Sequence, residues 1–540
     1  MKYHFFKYYG FKNAVVTAIV FFQILIFISC EEDKVSTPTG IPMISISFNG
    51  DVENSGMLNV NIQADSNVVF SPGIKDSCLD LSGDAVVRMP VVVSCAGNLK
   101  LKDYDEFTIE VWAKKVKNDN DHYVIAACKK ETGNSFRGWE ITSECNGSWA
   151  LSFSDGNFIR RYAPTSESQD LNDGRWHQIV FSYSGKKSEI RIFFDGKNRA
   201  LYSLSNVKNK CEKQIFYIGT DPLSTDMEME AFNGYIDDFK VWARALSNEE
   251  IRNSYFAKTG FNIRDKVKFK DKITVLSWNI WHGGRHKGKY VGVQRVIDVI
   301  RNAGADVVLL QETDGSGEMI ADALDFYYFS RSDELSVLSR FPLAGSYNIY
   351  KPENFGCVEI DISKGNKVLF CPVKLNNLPN IGAYVKSGNA IPDTIVEREA
   401  ATRGRQMRFI LGELSSFSPI GNNTIVVAGD FNTGSHLDWT ERTKDKHDGL
   451  VVEFPVSRLM ADQGYTDTYR DTHPDEVKYP GYTWSPYFTN TLQDRIDYIY
   501  YKGEGLSPVT SYVIDTHPKG FPSSHAALVT VFFNKKKSEK

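Results

Sequence analysis

TIVVAGDFN, Thr424 to Asn432, begins as a β-branched apolar run and ends in polar groups. Ile425, Val426 and Val427 predict a buried strand. Gly429 breaks the run and places Asp430 and Asn432 at the strand's C-terminal end, where layered α/β sheets carry their chemistry. A carboxylate and an amide two residues apart on an extended chain share one side, so both can face the same phosphate, water or metal. An ordinary turn uses the same residue types, so the neighbouring segments decide between the two.

On the N-terminal side the pattern from Ile273 alternates strand and helix. Ile273 to Ser277 predicts a strand that ends in Trp278-Asn279-Ile280-Trp281. Gly292 to Ala303 carries Val293, Val296, Ile297 and Ile300 at helical spacing. Asp306 to Leu310 predicts a second buried strand, ending in Gln311-Glu312. Glu399 to Leu414 predicts a helix with Met407, Ile410, Leu411 and Leu414 on one face. This order predicts an α/β sandwich over residues 273–534.

Four motifs in this region give a resemblance: Ser277-Trp-Asn279, Leu309-Leu-Gln-Glu312, Gly429-Asp-Phe-Asn432, and Asp494-Arg-Ile-Asp-Tyr498 followed by Ser524-His525. Leu338-Ser-Arg-Phe-Pro342 is a softer fifth. In this order they resemble the endonuclease/exonuclease/phosphatase superfamily, whose fold is a four-layer α/β sandwich. The resemblance implies a metal-dependent phosphoesterase. Glu312 would be the ligand of Mg2+ or Mn2+, a hard oxygen donor for a hard cation, and Asn279 would bond the metal shell or the phosphate. Asp430 would orient or deprotonate the attacking water, and Asn432 would steady the phosphate. His525 would be general base or phosphate partner, with Asp497 holding its imidazole. The plainer readings are an acid paired with Arg495 for Asp497 and a surface-loop histidine for His525.

Two departures from the family pattern bear on activity. The usual strand histidine corresponds to Lys374, in Pro372-Val-Lys374-Leu375, and the usual Ser-Asp-His reads Ser523-Ser524-His525. Lysine cannot act as a neutral imidazole, although its ammonium can donate to a phosphate. Loss of a carboxylate beside His525 changes the charge near metal and base. The expectation is an active enzyme; a non-catalytic surface glycan-binding protein with a degraded phosphatase-like domain is the alternative. His436 and Asp438 follow the GDFN strand closely enough to read substrate or add a metal ligand, or simply to cap a helix. Trp484 is a candidate to stack on a base or sugar of the substrate, with packing the plainer role.

Residues 44–258 read differently. Phe107 to Trp112, Gln178 to Tyr183 and Glu189 to Phe194 alternate with period two, and Asp195-Gly196 forms a turn. Short strands with little helical signal predict an all-β sandwich. Leu79 to Gly83, Phe107 to Trp112, Gly174 to Ile179 with Phe194 to Gly196, and Asn233 to Trp242 resemble the laminin-G-like, concanavalin A-like jelly roll. That resemblance makes Trp176 and His177 the opening of a core strand, and leaves Asp237 and Asp238 near a Ca2+ site or on a solvated edge. Glycan or protein binding, or spacing of the next domain, is the expected role.

At the N-terminus, Lys2, Lys7 and Lys12 precede an apolar run from Ala14 to Ile28, which reads as a signal peptide. Phe27-Ile-Ser-Cys30 resembles a bacterial lipobox with Cys30 as the lipidated residue, and Glu31-Glu-Asp33 resembles the export signal of Bacteroidota lipoproteins. Residues 1–30 are thus expected to be a lipoprotein signal, 31–43 a tether, 259–272 a linker and 535–540 a tail. The location expected is the outer membrane or cell surface of a Gram-negative bacterium, with the membrane as a partner through the lipid. No CxxC pair occurs, which argues against a zinc ribbon. Cys357 and Cys371 flank a hairpin turning at Lys364-Gly365-Asn366 and are placed to face each other. The 540 residues are 42% hydrophobic and 13% aromatic, which excludes wholesale disorder, and the net charge of −4 lacks the footprint of a general nucleic-acid binder. The substrates expected are a phosphorylated small molecule, glycan or lipid head group, with extracellular nucleic acid as rival.

Overall fold

The structure, a computed structural model, describes residues 40–64, 67–83, 91–95, 105–133, 135–204, 215–223, 231–263, 270–363, 366–416 and 424–535. Cys30 and the rest of the signal, the tether through Thr39, Cys211, the charged stretch Arg264 to Phe269 and the hairpin tip at Lys364 and Gly365 lie outside the described residues.

The N-terminal region is a two-sheet β-sandwich. Glu106–Lys115 pairs antiparallel with His177–Ser184 on one side and Gly234–Trp242 on the other. Its alternation puts Phe107, Ile109, Val111 and Ala113 into the core. The facing sheet contributes Ile125, Trp139, Ile141, Phe153 and Phe216, with the Trp139 ring edge-on to Phe181 at 5.1 Å. The outer face of the first sheet is covered by the helix Asn248–Thr259, which begins in a Ser247/Glu250 capping box and ends at Gly260 with φ 75°.

His177 opens a core strand, as expected. Its ring is buried, bonded to Asp195 at 2.9 Å and Asp173 at 3.1 Å, and it stacks on Phe194. The Ca2+ expectation at Asp237 and Asp238 meets a different arrangement. Lys258 reaches both carboxylates, Lys240 bonds Asp238 at 3.2 Å, and Asp237 also accepts the Ile74 amide. Both carboxylates are thus already paired with ammonium groups.

The C-terminal region is layered α/β/β/α. Lys272–Asn279 and Val307–Gln311 run parallel in one sheet, and Asn366–Lys374 and Thr424–Asp430 run parallel in the other. Both faces of these strands are buried, which explains their continuous apolar runs. Val275, Leu309, Val368, Phe370, Val426 and Ala428 meet between the sheets. Leu276, Trp278, Val308 and Leu310 face the helix Val291–Asn302 through Val293, Val296, Ile297 and Ile300. Ile425 and Val427 face Met407, Ile410, Leu411 and Leu414 on the far side.

The single helix expected over Glu399 to Leu414 is two, Pro392–Ala401 and Arg403–Ser416, broken at Thr402 with φ −113° and ψ −94°. The break turns the buried Arg403 guanidinium onto the carbonyls of Asn376, Asn377 and Pro379 and onto Glu399.

Cys357 and Cys371 are joined across their hairpin, 14 residues apart in sequence. A loop of that length contributes about 3 kcal/mol in the chain-entropy treatment. Replacing both with serine should lower the urea unfolding free energy by about that amount under non-reducing conditions, and an unchanged midpoint would show the bridge to be energetically idle.

The two regions share a sheet. Lys197–Ser203 of the sandwich pairs in parallel with Tyr327–Ser330, with Ala200 opposite Tyr328, Leu201 opposite Phe329 and Tyr202 opposite Ser330. The described strands from Val69–Pro72 to Leu506–Ile514 thereby form one continuous sheet.

Candidate active site

Four strands of the C-terminal region end at one cleft of about 750 Å³. Lys272–Asn279 delivers Asn279, Val307–Gln311 delivers Glu312, Thr424–Asp430 delivers Asp430 and Asn432, and Asp497–Lys502 begins with Asp497. His525 precedes the strand Ala527–Asn534. Register fixes the neighbours: Asp430 sits opposite Asp497 on one side and Lys374 on the other.

Asn279 joins the two halves. Its Nδ2 donates to Glu312 Oε1 at 3.0 Å and to Asp430 Oδ2 at 3.1 Å, while its Oδ1 accepts the Trp281 amide. The side chain thus orients two carboxylates of the cleft through its Nδ2. Asp430 Oδ1 accepts the backbone amide of Asn432 at 2.9 Å. Asn432, at φ 52°, gives one amide hydrogen to the Leu375 carbonyl, which leaves the second for a ligand.

His525 is buried, and its Nδ1 donates to Asp497 Oδ2 at 3.0 Å. Its backbone is fixed too, since its carbonyl accepts the Trp278 indole and its amide donates to Ser523. Burial alone would lower the pKa of the imidazole. The carboxylates of Asp497 and Asp430 overcome that and push it up to about 9. Burial raises Asp430 to about 6, with His525 opposing the rise and Asp497 adding to it. The loop reading of His525 is thus set aside by its geometry. Arg495, the alternative partner for Asp497, points to Asp438 and Asp467 instead.

Lys374 reaches the site. Its Nζ lies 3.1 Å from Glu312 Oε1 and 2.6 Å from Glu334 Oε2. Burial opposes its charge and the two glutamates more than restore it, so its pKa stands above the ordinary lysine value. For Glu312, burial works against ionisation, while Lys374 and Asn279 outweigh it and hold the carboxyl below its usual range. Glu312 Oε2 accepts only a long bond, 3.3 Å, from the His282 amide. A hard anionic oxygen kept ionised at the cleft fits a hard divalent cation. Ligand atoms of Asp430, Asp497 and His525 also lie within 4.8 Å of one another, so these three residues and Glu312 are the groups of the cleft that could hold a cation.

Trp484 lines the cleft with its ring 5.0 Å from that of His525 and stacked on Phe488 at 5.5 Å. Trp281 closes the same wall, 5.8 Å from Phe488. His436 does not line the cleft: its Nδ1 and backbone amide both face the Ser457 hydroxyl. Asp438 is held by Arg470 and Arg495 and is a structural acid. Sequence reasoning missed Glu334 and Phe488 as cleft residues. Glu334 stands just before the strand Leu335–Ser339, and its only sequence signal was an acid next to a buried strand.

A β-sandwich fused to an α/β/β/α sandwich, with carboxylates, amides and a buried histidine converging at strand ends, defines a two-part chain with a hydrolase-like cleft. The comparisons agree. The family model of the Endonuclease/Exonuclease/phosphatase family matches residues 276–525, and that of the Concanavalin A-like lectin/glucanases superfamily matches residues 91–252. The chain belongs to the Endonuclease/Exonuclease/phosphatase family through its C-terminal half and carries a concanavalin A-like jelly roll before it. It is 30% identical over 289 residues to the Caenorhabditis elegans protein "Uncharacterized protein F14F9.5", covering 47% of this chain and 90% of that one. Among solved structures, Caenorhabditis elegans TDP2 aligns at 17% identity and a TM-score of 0.34, covering 53% of this chain and 82% of that one. The binding domain of botulinum neurotoxin serotype D aligns at 17% identity and a TM-score of 0.33, covering 40% of this chain; the match spans about half of that domain, 51%.

Proposed function

We propose that the protein is a metal-dependent phosphoesterase that hydrolyses a phosphodiester carrying a ring on one side of the phosphate. The observation that carries this reading is the convergence of Glu312, Asp430, Asn432, Lys374 and the His525–Asp497 pair on one cleft walled by Trp281, Trp484 and Phe488. A divalent cation held at Glu312 would supply charge neutralisation on the phosphoryl oxygens. The chain's own groups do the rest. Asp430, held at both oxygens, orients the water and takes its proton as the oxygen attacks phosphorus in line. His525, cationic at neutral pH, presents Nε2–H to the phosphate or to the departing oxygen. Asn432 and Lys374 donate to the phosphoryl oxygens, so a lysine in place of the usual histidine keeps a charged donor.

The ring wall supports a nucleoside or a glycosyl group over a ringless glycerol or alkyl group, because a planar or sugar face gains stacking there. A lipid head group is a weaker fit. The pairing of Cys357 with Cys371 supports an oxidising compartment, in line with an exported lipoprotein anchored through Cys30.

The test is a substrate panel: a dinucleotide, a glycosyl phosphodiester, a glycerophosphodiester and the matching monoesters. The reading predicts that the ring-bearing diesters exceed both the glycerophosphodiester and the matching monoesters by about tenfold or more in kcat/KM; a preference for the ringless diester or for monoesters would overturn it. The pH profile is a further expected outcome. Activity should rise as Asp430 ionises through about 6 and fall as His525 loses its proton through about 9. In Asp497→Asn the alkaline limb should move to lower pH, since the carboxylate that raises His525 is gone; an unmoved limb would assign that limb to another group.

A further inference from the structure

The shared sheet has a second connection that runs from the jelly roll to the cleft. Ser203 ends the jelly-roll edge strand, and its hydroxyl accepts a bond from the Arg331 guanidinium at 2.7 Å. Arg331 is buried, and its other donors reach Asn348 Oδ1 at 2.7 Å, the Phe355 carbonyl at 2.9 Å and the Tyr350 carbonyl at 3.0 Å. Room for the side chain is kept by Gly356, where an added Cβ would sit 2.5 Å from Arg331 Cδ.

Two arms lead from Arg331 to the site. In the first, the turn Arg331 to Glu334 supports the backbone beyond Gln311. The Glu312 amide donates to the Glu334 carbonyl and the Asp314 amide to the Asp333 carbonyl, each at 2.8 Å. Glu312 and Asp314 lie at φ 54° and 44°, conformations costly for residues with a Cβ and kept only where surrounding bonds impose them. The turn is also tied to the jelly roll from outside, by Arg160 to Asp333 at 2.9 Å. In the second arm, Arg331 holds the carbonyls on either side of Asn354. Asn354 clamps the Lys374 backbone, accepting its amide at 2.9 Å and donating to its carbonyl at 2.8 Å. The arms meet where Lys374 Nζ bonds Glu334 and Glu312.

We propose that the jelly roll is a structural part of the active site, with Ser203 acting through Arg331 and Arg160 acting through Asp333 as positioning residues for Glu312 and Lys374. This differs from a spacer or detachable binding module, which would leave the cleft's geometry to the C-terminal region alone. The kinetic part of the test rests on the phosphoesterase reading; the exchange part does not.

The experiment compares two double variants of the full chain. Arg160→Ala/Ser203→Ala cuts both ties to the turn. Lys197→Ala/Arg199→Ala cuts ion pairs of the same interface to Asp325, at 2.7 and 2.9 Å, which touch neither arm. Hydrogen exchange is followed in the peptide spanning residues 311–314, together with kcat and KM on the preferred diester. The first variant should exchange about tenfold faster at Glu312 and Asp314, and should lose about tenfold in kcat with KM within about twofold, because orientation and not substrate affinity is disturbed. The control should leave both readouts at the wild-type value. Ser203→Thr with Arg160 intact keeps the hydroxyl and should retain protection. Equal effects from the two double variants, or unchanged exchange in the first, would overturn the proposal. Absence of hydrolysis by the wild type would overturn the phosphoesterase reading, and exchange would still decide this one.

Discussion

Asp430→Asn is expected to lower kcat for a phosphodiester by about three orders of magnitude while changing KM little. Asp430 is fully enclosed by partners that suit a carboxylate: Asn279 Nδ2 donates to one oxygen and the Asn432 amide to the other. Asparagine preserves volume but turns one acceptor into a donor, which then faces another N–H. It also removes the base. The neighbouring imidazole loses one of the charges that raise its pKa, so any residual activity should show its alkaline limit at lower pH. Steady-state kinetics over the pH range checks both effects. A loss smaller than about tenfold would move the base role to another group.

The second large effect is on stability. Asp438→Ala should cost about 3–5 kcal/mol, the range for breaking a buried ion pair from one side. Arg495 is fully buried; its Nε and Nη2 bond Asp438 Oδ2 at 2.9 and 2.7 Å, and its Nη1 lies 2.6 Å from Asp467. Arg470 bonds the other Asp438 oxygen at 2.5 Å. Without Asp438 the buried Arg495 guanidinium keeps only Asp467 as a carboxylate partner, and Arg470 keeps the carbonyls of His473, Tyr479 and Pro480. Arg495 lies in the same strand-entry segment as Asp497, so the loss should also loosen the His525 partner. Urea unfolding of the variant checks this, and a cost below about 1 kcal/mol would mean that water or Asp467 replaces the lost carboxylate.

The near-continuous apolar runs of Ile273 to Asn279 and of Thr424 to Asp430 made the layered core legible, because two buried faces call for apolar residues along the whole strand. The strand-end polar residues were legible for the complementary reason: an acid or amide directly after such a run has no place in a core. The helix break at Thr402 was not, since it depends on Arg403 finding three carbonyls of a distant loop. His436 was read toward the cleft from chain proximity, whereas the turn after Asn432 directs it to Ser457. Glu334 and Phe488 reach the site only through tertiary placement. The parallel pairing of Lys197–Ser203 with Tyr327–Ser330 joins segments more than a hundred residues apart, and neither edge strand carries a local mark of its partner. Such edge pairing uses backbone groups, which every sequence has.

The most direct measurement is turnover of a chromogenic phosphodiester by the full chain in magnesium or manganese, in EDTA, and after the metal is restored, beside Glu312→Ala. The account predicts multiple turnovers with metal, loss in EDTA, recovery on restoration, and no recovery in Glu312→Ala. A folded wild-type protein that turns over no phosphodiester with either metal, or that works equally well in EDTA, would contradict it.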